Sequence, residues 1–152
     1  MSLIGNVAIV LDNTNGVSGI DDLEIGNEVL CLYPEIPGER EALGFSQIVV
    51  EDIKRSTSAA NDYGWKLTVG TGDDTTTLTT SRSQEIWDTD DVMFKPAYTF
   101  NIGDSVYIWG IGPVEVTNSH EQAIPNLSIT TVSFVDDNHH SMIADGILVK
   151  SY

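Results

Sequence analysis

The chain has 152 residues, 41% of them hydrophobic, with 7 basic against 23 acidic side chains and a formal net charge of −16. That length supports one compact domain with a substantial core, and the apolar content excludes a disordered chain. So few Lys and Arg argue against phosphate neutralisation on a nucleic acid and against an anchor on an anionic membrane.

No apolar run reaches the roughly 18–20 residues of a membrane-spanning helix. No basic-then-apolar leader opens the chain, so no signal peptide is expected. Cys31 is the single cysteine. An internal disulfide framework or a Cys-rich zinc site is thereby excluded, and within its apolar run Cys31 reads as a small buried hydrophobe.

In chain order, residues 6–11 read as a buried strand and 12–16 as an Asp/Asn/Gly turn. Residues 20–30 read as a short turn feeding a strand that continues to Tyr33, and 34–44 is a loop with two prolines. Residues 45–53 form a strand and 56–64 a polar connection, in which 56–62 is the one helix-like candidate. Trp65 to Val69 alternates apolar and polar as a half-buried strand does. Residues 75–80 form a Thr-rich strand. Short strands follow at 84–87 and 92–94 around the acidic turn 88–91. Strands at 105–109, 113–118, 127–135 and 142–149 complete an all-β series. Asp145-Gly146 is a strong hairpin signal inside the last of them.

One unit recurs. Leu23-Glu24-Ile25-Gly26-Asn27-Glu28-Val29-Leu30 matches Phe100-Asn101-Ile102-Gly103-Asp104-Ser105-Val106-Tyr107. The glycine supplies a bend that a Cβ resists, and the flanking Ile and Val are expected to bury into a sheet. Two copies imply two related halves, roughly 20–83 and 97–149, packed as a single domain over 1–152.

The C-terminal stretch, from His140 through Ala144-Asp145-Gly146-Ile147-Leu148-Val149-Lys150-Ser151, resembles the closing block of the Hint family, the fold of inteins and hedgehog autoprocessing domains. That block runs approximately His-Asn-Phe-Phe-Ala-Asn-Gly-Ile-Leu-Val-His-Asn. The Ile-Gly-x-x-Val units resemble the family's turn motif. The resemblance covers nearly the whole chain and implies an all-β Hint-like fold of two pseudo-symmetric β-hairpin subdomains. It puts Ser2 on the first-position nucleophile, Thr80 on the Thr of the family's Thr-x-x-His block and Ser83 on its His. His140 falls on a family position. Lys150 replaces the penultimate His and Ser151 the terminal Asn.

These departures imply lost chemistry. A serine cannot shuttle protons near neutral pH as the block His does, a contribution of typically ~10²–10⁴-fold. Ser151 has no amide nitrogen to cyclise, and Lys150 is a poor general acid. Only Met1 precedes Ser2 and only Tyr152 follows Ser151, so nothing is expected to be spliced. The expectation is a catalytically inactive Hint-like domain serving as a structural or interaction protein. The resemblance to short free-standing members in tailed bacteriophages implies a virion location, with other protein subunits of the particle as partners and no cofactor. Host cytoplasm is the alternative location. Residual autocleavage at Ser2 is the alternative function, and a calcium-stabilised binding module using the acidic turns 73–74 and 88–91 is a third.

The remaining candidates read blandly. His139-His140 point to opposite faces of an extended segment and make a poor metal pair. His120 reads as a solvated loop residue and the acidic turns as solvated. Trp65, Trp87 and Trp109 read as core.

Overall fold

The computed structural model describes residues 2–12, 14, 16–34, 43–135 and 141–151. Among the described residues, fourteen strands form in chain order: β1 (Leu3–Ile4), β2 (Ala8–Val10), β3 (Val17–Gly19), β4 (Glu28–Pro34), β5 (Leu43–Thr57), β6 (Tyr63–Val69), β7 (Thr76–Thr80), β8 (Glu85–Asp88), β9 (Met93–Pro96), β10 (Ser105–Ile108), β11 (Gly112–Ala123), β12 (Ser128–Phe134), β13 (Ser141–Ala144) and β14 (Ile147–Lys150). They run in the order β3-β2-β13-β14-β8-β10-β11-β6-β7-β1-β12-β5-β4, with β9 beside β8. The all-β expectation holds. The candidate helix at 56–62 does not form: β5 continues to Thr57, and Asp62 then closes a turn by accepting the Ala59 amide at 2.7 Å.

The two Ile-Gly turns match bond for bond. In the first, the Glu24 amide donates to Asn27 Oδ1 (2.8 Å), Asn27 N to Glu24 O (3.1 Å), and Gly26 N to Val50 O (2.9 Å). In the second, the Asn101 amide donates to Asp104 Oδ2 (2.8 Å), Asp104 N to Asn101 O (3.1 Å), and Gly103 N to Val116 O (3.0 Å). Gly26 and Gly103 sit at φ 93° and 98°, a region that L side chains resist. Val29 and Val106 are buried, as expected of the repeat, and so are Leu23 and Phe100. The isoleucines are not: Ile25 and Ile102 are 64% and 69% exposed. Each stands on the outer side of its tight turn, one residue before the glycine.

β5 and β11 are long because each serves two partners. The first part of β5 pairs with β4 and the rest with β12. Likewise β11 pairs first with β10, then with β6. The far part of each long strand therefore completes the other half of the molecule. The main core draws on both halves, with Leu3, Ile9, Leu23, Val29, Leu67, Leu78, Phe100, Val106, Val132 and Val149 among its members. A second cluster gathers Val10, Leu30, Leu32, Trp87, Ile143 and Leu148. Cys31 is buried, as expected, and Trp87 is in the core, whereas Trp65 and Trp109 are only partly covered.

Two loop expectations fail. His120 lies within β11 opposite Lys66, because the strand runs five residues past its expected end at 118. In the acidic turn, Asp88 is 1% exposed. Its Oδ1 accepts the amides of Asp90 (2.8 Å) and Asp91 (3.1 Å), and Lys95 Nζ reaches Oδ2 at 2.7 Å. A buried carboxylate needs this compensation.

Candidate functional site

Strand β1 is short but central. Leu3 pairs with Thr80 of β7 on one side and Thr130 of β12 on the other, and all three side chains are buried. Alternation along the strand then turns Ser2, Ser81 and Thr131 to the opposite face. Ser2 N donates to Ser81 Oγ at 2.9 Å, and Ser81 N donates to Ser2 O at 2.9 Å. Ser2 Oγ lies 2.9 Å from Thr131 Oγ1. Thr80 Oγ1 donates to Ser81 O at 2.8 Å.

The 81–84 turn also reaches the far end of the chain. The Gln84 amide donates to Ser81 O at 3.1 Å. Its buried side chain donates through Nε2 to Lys150 O at 2.6 Å. Lys150 Nζ is 3.2 Å from Glu85 Oε2, so its ammonium is turned to the surface. Ser151 is 3% exposed, and among the described residues its Oγ has no hydrogen-bond partner; the same holds for buried Thr130 Oγ1.

Ser2, Thr80 and Lys150 are thus brought into one network through Ser81 and Gln84, and Ser151 follows Lys150 as a buried residue. Ser83 is not part of it: it sits exposed on the turn, and Ser81, two residues earlier, holds the Ser2 nitrogen. The reason is geometric. Ser81 continues β7 beside β1, whereas Ser83 is carried outward as the chain reverses. His140, with the candidate metal pair His139-His140, lies outside the described residues. Sequence reasoning missed Ser81 and Gln84. The available signal was a polar residue, Gln84, at the head of the apolar run Ile86-Trp87.

Among the described residues, Ser2 Oγ meets a hydroxyl, which does not take up a proton near neutrality. The Ser2 N–H is held by a neutral acceptor, which orients the peptide without supplying a proton to its nitrogen.

Neither a family model nor a curated protein matches the chain. Solved structures do. A bacterial intein-like domain from Clostridium thermocellum superposes with a TM-score of 0.75 at 16% identity, over 98% of this chain and 99% of that one. The fold is the intein fold. The gp41-1 intein gives a TM-score of 0.69 at 12% identity, over 99% of each chain. A DnaB intein from Synechocystis gives 0.68 at 13%, over 99% of this chain and 98% of that one. The Hint-like architecture expected from the closing block and the Ile-Gly turns is therefore present from end to end, on a sequence that shares few residues with these inteins.

Proposed function

We propose that this Hint-like domain does not rearrange its own backbone and works as a rigid interaction module within a larger protein assembly. The observation that carries this reading is the setting of Ser2, whose hydroxyl meets Thr131 Oγ1 and whose N–H meets Ser81 Oγ. An acyl shift needs a base for the first group and an acid at the second, and hydroxyls supply neither. Ser151 adds to this, since a hydroxyl has no nitrogen with which to cleave the peptide after it. The assembly we propose is a bacteriophage particle, in keeping with the sequence resemblance, with other protein subunits as partners.

The test is a reporter domain fused ahead of Ser2 in place of Met1, followed by intact mass with and without hydroxylamine at neutral pH. The fusion is expected to stay whole. Release of the reporter at Ser2, quickened by hydroxylamine, overturns the reading in favour of residual autocleavage. Recovery of the chain in purified particles tests the location, and its absence from them removes that part of the proposal.

A further inference from the structure

A cleft of about 470 Å³ opens where the loop after β6 meets the tip of the β10–β11 hairpin, lined by Gly70, Thr71, Asp74, Ile108, Ile111 and Val114. It lies apart from the Ser2 network, within the size range of small-ligand and side-chain pockets. Its walls are fixed by hydrogen bonds to the backbone. Gly70 N donates to Glu115 O (3.0 Å), Thr117 Oγ1 to Gly70 O (3.0 Å), and Ile111 N to Ile108 O (3.1 Å). Gly70 has φ 77°, and a Cβ there would collide with the Asp74 carbonyl oxygen. The cleft is therefore preformed.

Its chemistry is two-sided. Ile108 and Val114 pack toward the core, and Ile111 stands 71% exposed at the rim. The Asp74 carboxylate is exposed too, and among the described residues it has no ion-pair or hydrogen-bond partner. An apolar slot with one unpaired carboxylate suits a long aliphatic stem ending in a cation, as lysine and arginine side chains present. The net charge of −16 favours the same partner at long range.

The geometry points to this cleft as a docking site for a lysine or arginine side chain of a basic partner protein, its stem against Ile108, Ile111 and Val114 and its charge at Asp74. The inference rests on the interaction-module reading and specifies its partner.

The experiment is a titration of ¹⁵N-labelled protein with the blocked peptide Gly-Leu-Lys-Leu-Gly, beside versions carrying norleucine or glutamate in place of lysine. Saturable amide shifts are expected at Gly70, Thr71 and Ile111. The norleucine peptide is expected to bind about two- to fivefold more weakly, as for loss of an exposed ion pair, and the glutamate peptide more weakly still. Asp74→Asn, which leaves the backbone bonds intact, should weaken the lysine peptide to a similar degree. Asp73→Asn, one residue away, separates a local contact from general attraction and should have less than half that effect. Shifts centred elsewhere, equal binding of the norleucine peptide, or indifference to Asp74→Asn overturns the site. That failure leaves the fusion result untouched, and a cleaved fusion leaves the titration untouched, so the two readings fall separately.

Discussion

Lys95 shows how much one side chain can be asked to hold. It bridges buried Asp88 and exposed Asp91 at 2.7 and 3.0 Å. The Asp88 hydrogen bond, with a smaller contribution from Asp91, raises the Lys95 ammonium above its usual range against the opposing effect of burial. A raised amine stabilises the fold at every pH below its unfolded value and loses that only under strongly alkaline conditions. Lys95→Met keeps most of the volume and strands the Asp88 charge. The expected cost is about 3 kcal/mol, at the low end for breaking a buried pair because two backbone amides remain on Asp88. Urea unfolding measures it, and a loss within the noise of a surface substitution contradicts this account. At this scale the sequence was least legible. Asp88 read as one of three acidic residues in the turn 88–91, and only the return of β9 brings Lys95 against it. Ser81 and Gln84 escaped notice for a related cause, since a residue's role beside a bent turn depends on the side from which the neighbouring strand arrives.

Among the elements, the β13–β14 hairpin was read correctly from two residues. Asp145 and Gly146 take φ 49° and 86°, the doubly left-handed turn that Asp-Gly favours. The aspartate does more than turn the chain. Its amide donates to Ala8 O and its Oδ1 accepts the Ala8 amide, both at 2.8 Å, which ties the hairpin to β2. Burial pushes the Asp145 carboxyl up, and the Ala8 hydrogen bond only partly opposes this. A carboxyl raised in the folded state binds its proton more tightly there, so stability falls as pH climbs from the unfolded value through the folded one. Asp145→Asn keeps the acceptor and the turn preference without the charge. It should raise Tm by about 2 °C at neutral pH, with the advantage vanishing in acid; a lower Tm at neutral pH refutes the argument. The Ile-Gly turns were equally legible, because glycine, a capping polar residue and a buried Val fix them locally. Their exposed isoleucines and the full lengths of β5 and β11 were not, since both depend on which distant strand lies alongside.

At the level of the whole molecule, the exchange of β5 and β11 between halves decides what can fold alone. A cut at the exposed Asp90-Asp91 turn gives fragments 1–90 and 91–152. Fragment 1–90 lacks the β12 partner of β5 and the β11 partner of β6, and fragment 91–152 lacks both counterparts. Neither alone should give a dispersed NMR spectrum, and an equimolar mixture should recover that of the intact chain; a folded single fragment would contradict the strand exchange. The same scale shows what holds the molecule shut. Ser2 is fastened to Ser81, and the Lys150 carbonyl to Gln84, three residues further along the same turn. Tension drawing the two ends apart would load this clasp before it reached either hydrophobic cluster, so the domain would give way first at its seam while the folded interior stayed behind it.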